Sequence, residues 1–485
     1  MRPGPDFDVI VMGAGLSGVD AGYRLQTLCP DRTYTILEAR DSMGGTWDLF
    51  RYPGVRSDSD MYTLGFQFRP WTDEKSLADG PTILQYIKDT AAEFGIDKHI
   101  QYGRKVVAAD FDSVAAMWTL TMADDTVLTC NFLYSCAGYY NYDQGYLPDI
   151  PGLDDFAGQV IHPQFWPEDL DCTGKRIVVI GSGATAVTLV PALVRDGAGH
   201  VTMLQRTPSW IGVPPATDPL AAAARKWLPA RAAHRLIRSK NIALDTAFYQ
   251  FCRRYPRQAR KLLRRMAVKN LGDEKLVDDA FTPTYNVWDQ RLCAIPDGDL
   301  FEAIKAGDAS VVTDQIERVT PEGILLKSGE VLEADIVVTA TGLELQAFGG
   351  IELRVDGRPV ELNEQFVFLG AMMTGIPNFA VAIGYSNASW TLRADLTSRL
   401  VCKILNWMTA EGYAVVVPQP REPLAERPLM SLQSGYIQRS LDRFPHQGDR
   451  APWLMRQNYV LDAATTLRTD LGKYLDGNPQ MIPAP

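Results

Sequence analysis

At 485 residues the chain is longer than one hydrophobic core usually organises, so two or three domains are expected. Apolar (46%) and charged (22%) residues stand in ordinary globular proportions, and a net charge of −10 argues against the basic face that broad nucleic-acid binding needs. Five histidines without ligand spacing and seven cysteines without a CxxC pair predict no metal site and no redox disulfide.

The cysteines (Cys29, Cys130, Cys136, Cys172, Cys252, Cys293, Cys402) read as reduced, buried thiols. A strand starts within six residues of Met1, which leaves no room for a signal segment. No apolar run approaches the ~20 residues that cross a bilayer, and a cytoplasmic protein is expected.

Phe7 to Gly15 is an apolar, β-branched run ending in glycines; Leu16 to Leu28 has helical spacing, and Tyr34 to Glu38 reads as a second strand. The turn between them is Gly13-Ala-Gly15-Leu-Ser-Gly18. In such a βαβ start the first glycine permits the tight turn, the second admits a pyrophosphate, and the third lets helix and strand close up. The phosphates then sit at the positive end of the helix. Glu38 follows Gly18 by twenty residues, where a carboxylate can accept from a ribose. Placement at the N-terminus favours FAD.

Tyr139 to Asp171, rich in proline, glycine and aromatics, reads as a linker of defined shape. Lys175 to Gly183, Ala184 to Leu193 and Val201 to Gln205 then repeat the βαβ pattern, with Gly181-Ser-Gly183-Ala-Thr185-Ala186 in the turn. The next strand ends in Gln205-Arg206-Thr207 and carries no acid. A guanidinium there suits the 2′-phosphate of NADPH, which a carboxylate would repel.

From Pro214 to about Val287 the pattern is helical. Its basic stretch, Arg253 to Lys269, is broken by Pro256 and reads as a solvated outer face rather than a membrane patch. Ser310 to Asp314 and Ala334 to Gly342 return to sheet, and Ser398 to Glu411 is helical. Pro418 to Pro428 and the proline-rich C-terminus read as surface loops. The predicted fold is α/β, with two Rossmann-like dinucleotide-binding domains (FAD and NADP) and a helical insertion. Residues 1–145 and 341–485 form the FAD domain and tail; 146–212 and 287–340 form the linker and NADP domain; 213–286 form the insertion.

Phe156-Ala-Gly158-Gln-Val-Ile-His162-Pro-Gln-Phe-Trp166-Pro167 resembles the FxGxxxHxxxW(P/D) fingerprint of type I Baeyer–Villiger monooxygenases, a group of class B flavin monooxygenases. Gly44-Gly45-Thr46-Trp47, Tyr52-Pro53-Gly54 and Asp58 resemble the family's upstream pattern. RYPGVRSDSDMYTLGF, WDQRLCAIPDGDLF and GYSNASWTL are similar to a mycobacterial branch of it. The resemblance implies that NADPH reduces FAD and that O₂ adds to flavin C4a as a peroxide. That oxygen then enters a ketone, giving an ester or lactone, or is placed on a sulfide.

The resemblance also implies residue roles. Arg291 is the catalytic arginine, oriented by Asp58, with Asp60 as the rival partner. Thr46, Trp47, Val107 and Asn387 contact FAD, and Trp390 lies in the substrate pocket or the core. His162 couples linker and domain positions. Gln290 stands where relatives known for lactone formation carry lysine, so NADPH selectivity is expected to rest on Arg206 and Thr207. The alternatives are an oxygenase restricted to sulfur and nitrogen, and a non-catalytic redox-sensing flavoprotein. A complete set of glycines with Arg206, Asp58 and Arg291 weighs against the second.

Overall fold

The computed structural model describes residues 4–479. Strand β1 (Phe7–Met12) is central to the first sheet and pairs in parallel with β2 (Tyr34–Leu37) and with Val127–Ser135. Val9, Ile10 and Val11 are fully buried, as expected for a parallel strand covered on both faces. Helix α1 (Leu16–Leu28) covers one face. The sheet continues through antiparallel Met117–Met122 and Val106–Asp112 to Glu352–Val355, while Phe379–Val381 also pairs with Val127–Ser135. Chain from after residue 340 thus completes a sheet begun at residue 7.

The second sheet is wholly parallel, in the order Ala309–Thr313, His200–Gln205, Arg176–Ile180, Ile336–Thr339, Gln159–Ile161. Its last strand comes from the segment read as an aperiodic linker. Three residues are too few for periodicity to register, yet they fill the edge beside Ile336–Thr339. Tyr140–Gly145, also in that segment, pairs with Leu343–Leu345.

The helical insertion contains Pro219–Trp227, Ala230–Arg254, Pro256–Leu271 and Glu274–Ala280. Pro256 opens the third of these, where its missing N–H costs nothing. The Arg238 guanidinium is buried and donates to the carbonyls of Tyr62 (2.7 Å), Thr63 (3.2 Å) and Gly65 (3.0 Å). Asn241 Nδ2 donates to Asp60 Oδ1 at 2.8 Å. The second insertion helix is thereby fastened to the short helix Met61–Leu64, just after Asp58.

The predicted helix Ser398–Glu411 begins eight residues earlier, at Trp390. Its first turns carry Thr391, Arg393, Asp395, Thr397 and Ser398, all buried, so no apolar stripe marks them. All seven cysteines are buried and free. Among the described residues no cluster has a metal-ligand set, and no helix is long and apolar enough to cross a membrane. Arg421 to Pro428 is largely exposed, and the proline-rich tail past 479 lies outside the described residues.

Arg24 on α1 bonds Asp395 at 2.5 Å, leaving the neighbouring Asp20 fully buried with no hydrogen-bond partner on either oxygen. Burial, then the charge of Asp395, pushes the Asp20 carboxyl up to about 8. The folded chain therefore keeps a proton that the unfolded chain loses near its ordinary value of 3.8. This contribution is neutral below about pH 4, turns destabilising as pH rises, and levels off above about pH 8. Asp20→Asn is expected to raise stability by more than about 1 kcal/mol at pH 8 and by almost nothing at pH 4. Thermal melts at both values check this; an equal gain at each would rule the proton out as the cause.

Candidate active site

Both glycine turns open onto one cleft of about 990 Å³. Gly13 has φ +96°, and a Cβ there would lie 2.7 Å from the Cys136 carbonyl oxygen. A Cβ on Gly18 would fall 1.9 Å from the Gly13 carbonyl oxygen, so only glycine lets α1 seat on its own turn. Gly15 and Gly183 each precede a helix and offer no side-chain cap, which leaves backbone N–H groups free for an anion. Gly183 differs from Gly18: a Cβ there would meet no protein atom within 4 Å, although the residue lines the cleft. The open space belongs to whatever binds, and a dinucleotide pyrophosphate fits such a cradle.

Glu38 is buried at the cleft wall, accepting from Ala14 N (2.8 Å) and Arg40 N (3.0 Å). Burial raises its pKa, and these two bonds act against the rise. Thr46, Trp47, Gly181, Thr185, Arg206 and Thr207 also line the cleft. Among the described residues no carboxylate lies within ion-pair distance of Arg206, leaving its charge open to a ligand.

Deeper in the cleft, Arg291 Nε donates to Asp58 Oδ2 at 3.3 Å. Both Nη groups lack a protein acceptor among the described residues, and the 39% accessibility of the side chain opens into the cleft. Burial alone would lower the guanidinium's pKa; Asp58, and then Tyr436, Tyr139 and Tyr140, outweigh it and raise the net value. Arg291 is a fixed cation. Tyr140 is itself pushed up to about 12, chiefly by burial, so this tyrosine ring stays neutral at working pH. The loop is held by Asn286 N donating to Asp289 Oδ2 (3.0 Å) and by an Arg253–Asp289 pair (2.8 Å).

Asp60 does other work. Its oxygens accept from Tyr62 N, Thr63 N, Thr63 Oγ1 and Asn241 Nδ2, capping Met61–Leu64, and it does not pair with Arg291.

Several expected residues lie off the cleft. The Val107 side chain is exposed while Val106 lines the cleft, because side chains alternate along Val106–Asp112. Asn387 Nδ2 donates to Gln457 O (2.9 Å), its Oδ1 is buried without a partner, and the cleft is reached by Ala388 next to it. Trp390 does line the cleft, with Nε1 donating to Ser17 Oγ at 2.7 Å and its ring 5.1 Å from Tyr139. It serves as wall and core together.

The fingerprint residues fasten the linker to the second sheet. Phe156 is buried in that sheet's outer cluster, and Gly158 sits where a Cβ would lie 2.3 Å from the Asp335 carbonyl oxygen. Trp166 packs against the opposite cluster. His162 Nδ1 accepts from Gln164 N (3.2 Å), the ring abuts Gly145, and burial lowers its pKa. The sequence reading missed Tyr139, Tyr140, Tyr436 and Arg439, whose guanidinium stacks 3.4 Å from the Tyr146 ring centroid at the cleft. The aromatic run at 139–142 was the one available signal.

The flavin-binding monooxygenase-like family model matches residues 68–215. FAD-containing monooxygenase EthA of Mycolicibacterium smegmatis is 53% identical over 460 residues, covering 94% of each chain. This chain belongs to the FAD-containing monooxygenase family. EthA of Mycobacterium tuberculosis is likewise 53% identical, over 459 residues and 94% of each chain. Among solved structures, an oxidized steroid monooxygenase bound to NADP superposes with a TM-score of 0.72 at 23% identity. The match covers 85% of this chain and 88% of that one, so the two share a fold. In this FAD-containing monooxygenase the family's glycine turns and the Arg291–Asp58 pair face a common space.

Proposed function

We propose that the chain uses FAD, NADPH and O₂ as a Baeyer–Villiger monooxygenase, converting ketones to esters or lactones and sulfides to sulfoxides. The observation that carries this reading is the Arg291–Asp58 pair, seated in a cleft bounded by two glycine turns. Gly13, Gly15, Glu38, Thr46 and Trp47 would hold FAD, with Gly18 packed beneath. Gly181, Gly183, Thr185, Arg206 and Thr207 would hold NADPH. When bound, the reduced flavin supplies activated oxygen.

The chain's own part is electrostatic and steric. Asp58 engages Nε and so turns the two Nη groups toward the cleft, where they can donate to developing negative charge on oxygen. The pair is preorganised, so little rearrangement is needed when that charge appears. Tyr139, Tyr140 and Trp390 wall the space and would limit water beside the reacting oxygen.

The test is NADPH oxidation by the FAD-loaded protein with phenylacetone and with methyl phenyl sulfide, products identified by mass. Ester from the ketone is expected. Sulfoxide without ester would reassign the chain to heteroatom oxygenation. NADPH loss yielding only hydrogen peroxide would remove both compounds from the substrate range.

A further inference from the structure

The helical insertion has a charge opposite to that of the chain around it. Between residues 219 and 271 stand fourteen lysines and arginines and a single acid, Asp245, a local net charge of +13 in a chain whose total is −10. On Pro256–Leu271, Arg257, Lys261, Arg265 and Lys269 recur every four residues and form one exposed helical stripe. Among the described residues none of the four lies within ion-pair distance of a carboxylate. A stripe like this, taken alone, is an ordinary solvated face.

The two preceding helices change that reading. Leu236 (54%), Leu244 (59%), Leu220 (62%) and Trp227 (79%) are all exposed. Leu236 and Leu244 lie eight residues apart on one face of Ala230–Arg254, with Lys240 midway. The Lys240–Asp218 ion pair brings the start of Pro219–Trp227, and with it Leu220, beside them. Trp227 and Leu228 cap the turn between the helices, with Lys226 over the Trp227 ring at 5.7 Å. Arg231 and Arg235 on the same helix are also exposed.

We propose that this face of the insertion docks on an anionic lipid surface, lying among the headgroups without crossing the bilayer. Large apolar side chains with a tryptophan, rimmed by long cations that can snorkel, match the chemistry of that boundary. Charge complementarity selects an anionic surface, and the exposed leucines and tryptophan gain from an apolar phase, which a nucleic acid or a hydrated acidic patch does not provide. A second copy of this chain, whose remainder carries the opposite charge, is the rival occupant and is an outcome of the test. The cleft draws no lining residue from the insertion helices, so the docking stands apart from the reading of the active site.

The test is flotation of the full-length, FAD-loaded protein with vesicles of phosphatidylcholine alone and of phosphatidylcholine mixed with phosphatidylglycerol. Binding to the mixed vesicles only, weakened by added salt, is expected. A W227A/L236S/L244S variant is expected to partition about tenfold more weakly. An R257E/K261E/R265E variant should weaken by about as much, since each cation near the surface contributes. NADPH oxidation in vesicle-free buffer should be unchanged in both. Absence of flotation with the mixed vesicles, or flotation that neither variant reduces, overturns the proposal. Self-association in sedimentation velocity that the apolar variant abolishes, without vesicle binding, would assign the face to a second copy instead.

Discussion

Arg291→Ala is expected to lower oxygen transfer to ketone or sulfide by about 10²- to 10³-fold, the usual cost of removing one preorganised donor to developing charge. The structure says why the loss should fall on chemistry rather than assembly. Arg291 makes one protein hydrogen bond, to Asp58, and its Nη groups face the cleft without protein acceptors among the described residues. Its removal leaves few contacts to repair, so the protein should fold and keep its flavin. Asp58→Ala should show a smaller but parallel loss, because the cation remains and only its orientation is freed. Product formation per NADPH consumed, measured beside flavin absorbance, separates these effects. Undiminished product in Arg291→Ala would remove this residue from the mechanism; loss of flavin would recast it as structural.

Arg206→Ala is expected to raise the KM for NADPH by about one to two orders of magnitude while leaving that for NADH nearly unchanged. A charge-assisted hydrogen bond contributes about 1.5–3 kcal/mol, and Arg206 has no internal partner among the described residues to share it with. Its strand neighbour Gln205 is buried and held by Ala280 O and Thr313 Oγ1, so the backbone beneath Arg206 should survive the change. Steady-state kinetics with both nucleotides reads the outcome. If the KM values rise together, the guanidinium serves binding in general rather than the 2′-phosphate.

Both glycine turns were legible in the sequence because their chemistry is local: strand, turn and helix lie within about twenty residues, and periodicity marks each. The Arg291–Asp58 pair spans 233 residues and was reachable only through the family resemblance. Tyr436 and Arg439 arrive at the cleft from a short helical turn that no motif announces. The opening of the Trp390 helix was hidden for a different reason. Its first turns bury polar groups, such as Asp395 paired with Arg24, among the apolar ones, so the apolar rhythm that reveals a helix is blurred there. Val107 and Val106 face opposite ways because a strand turns alternate residues to opposite sides, which a motif match alone does not register.

The clamp of Arg238 on three carbonyls, with Asn241 on Asp60, bears on how such proteins can diversify. The insertion resembles a removable module in its chain position, yet it grips the stretch that immediately follows Asp58. Thr63 extends the link to Ser389, beside Trp390. A chimera that exchanges the insertion must therefore import its receptor turn as well, or it will disturb the carboxylate that aims Arg291. Exchange at these two places is coupled.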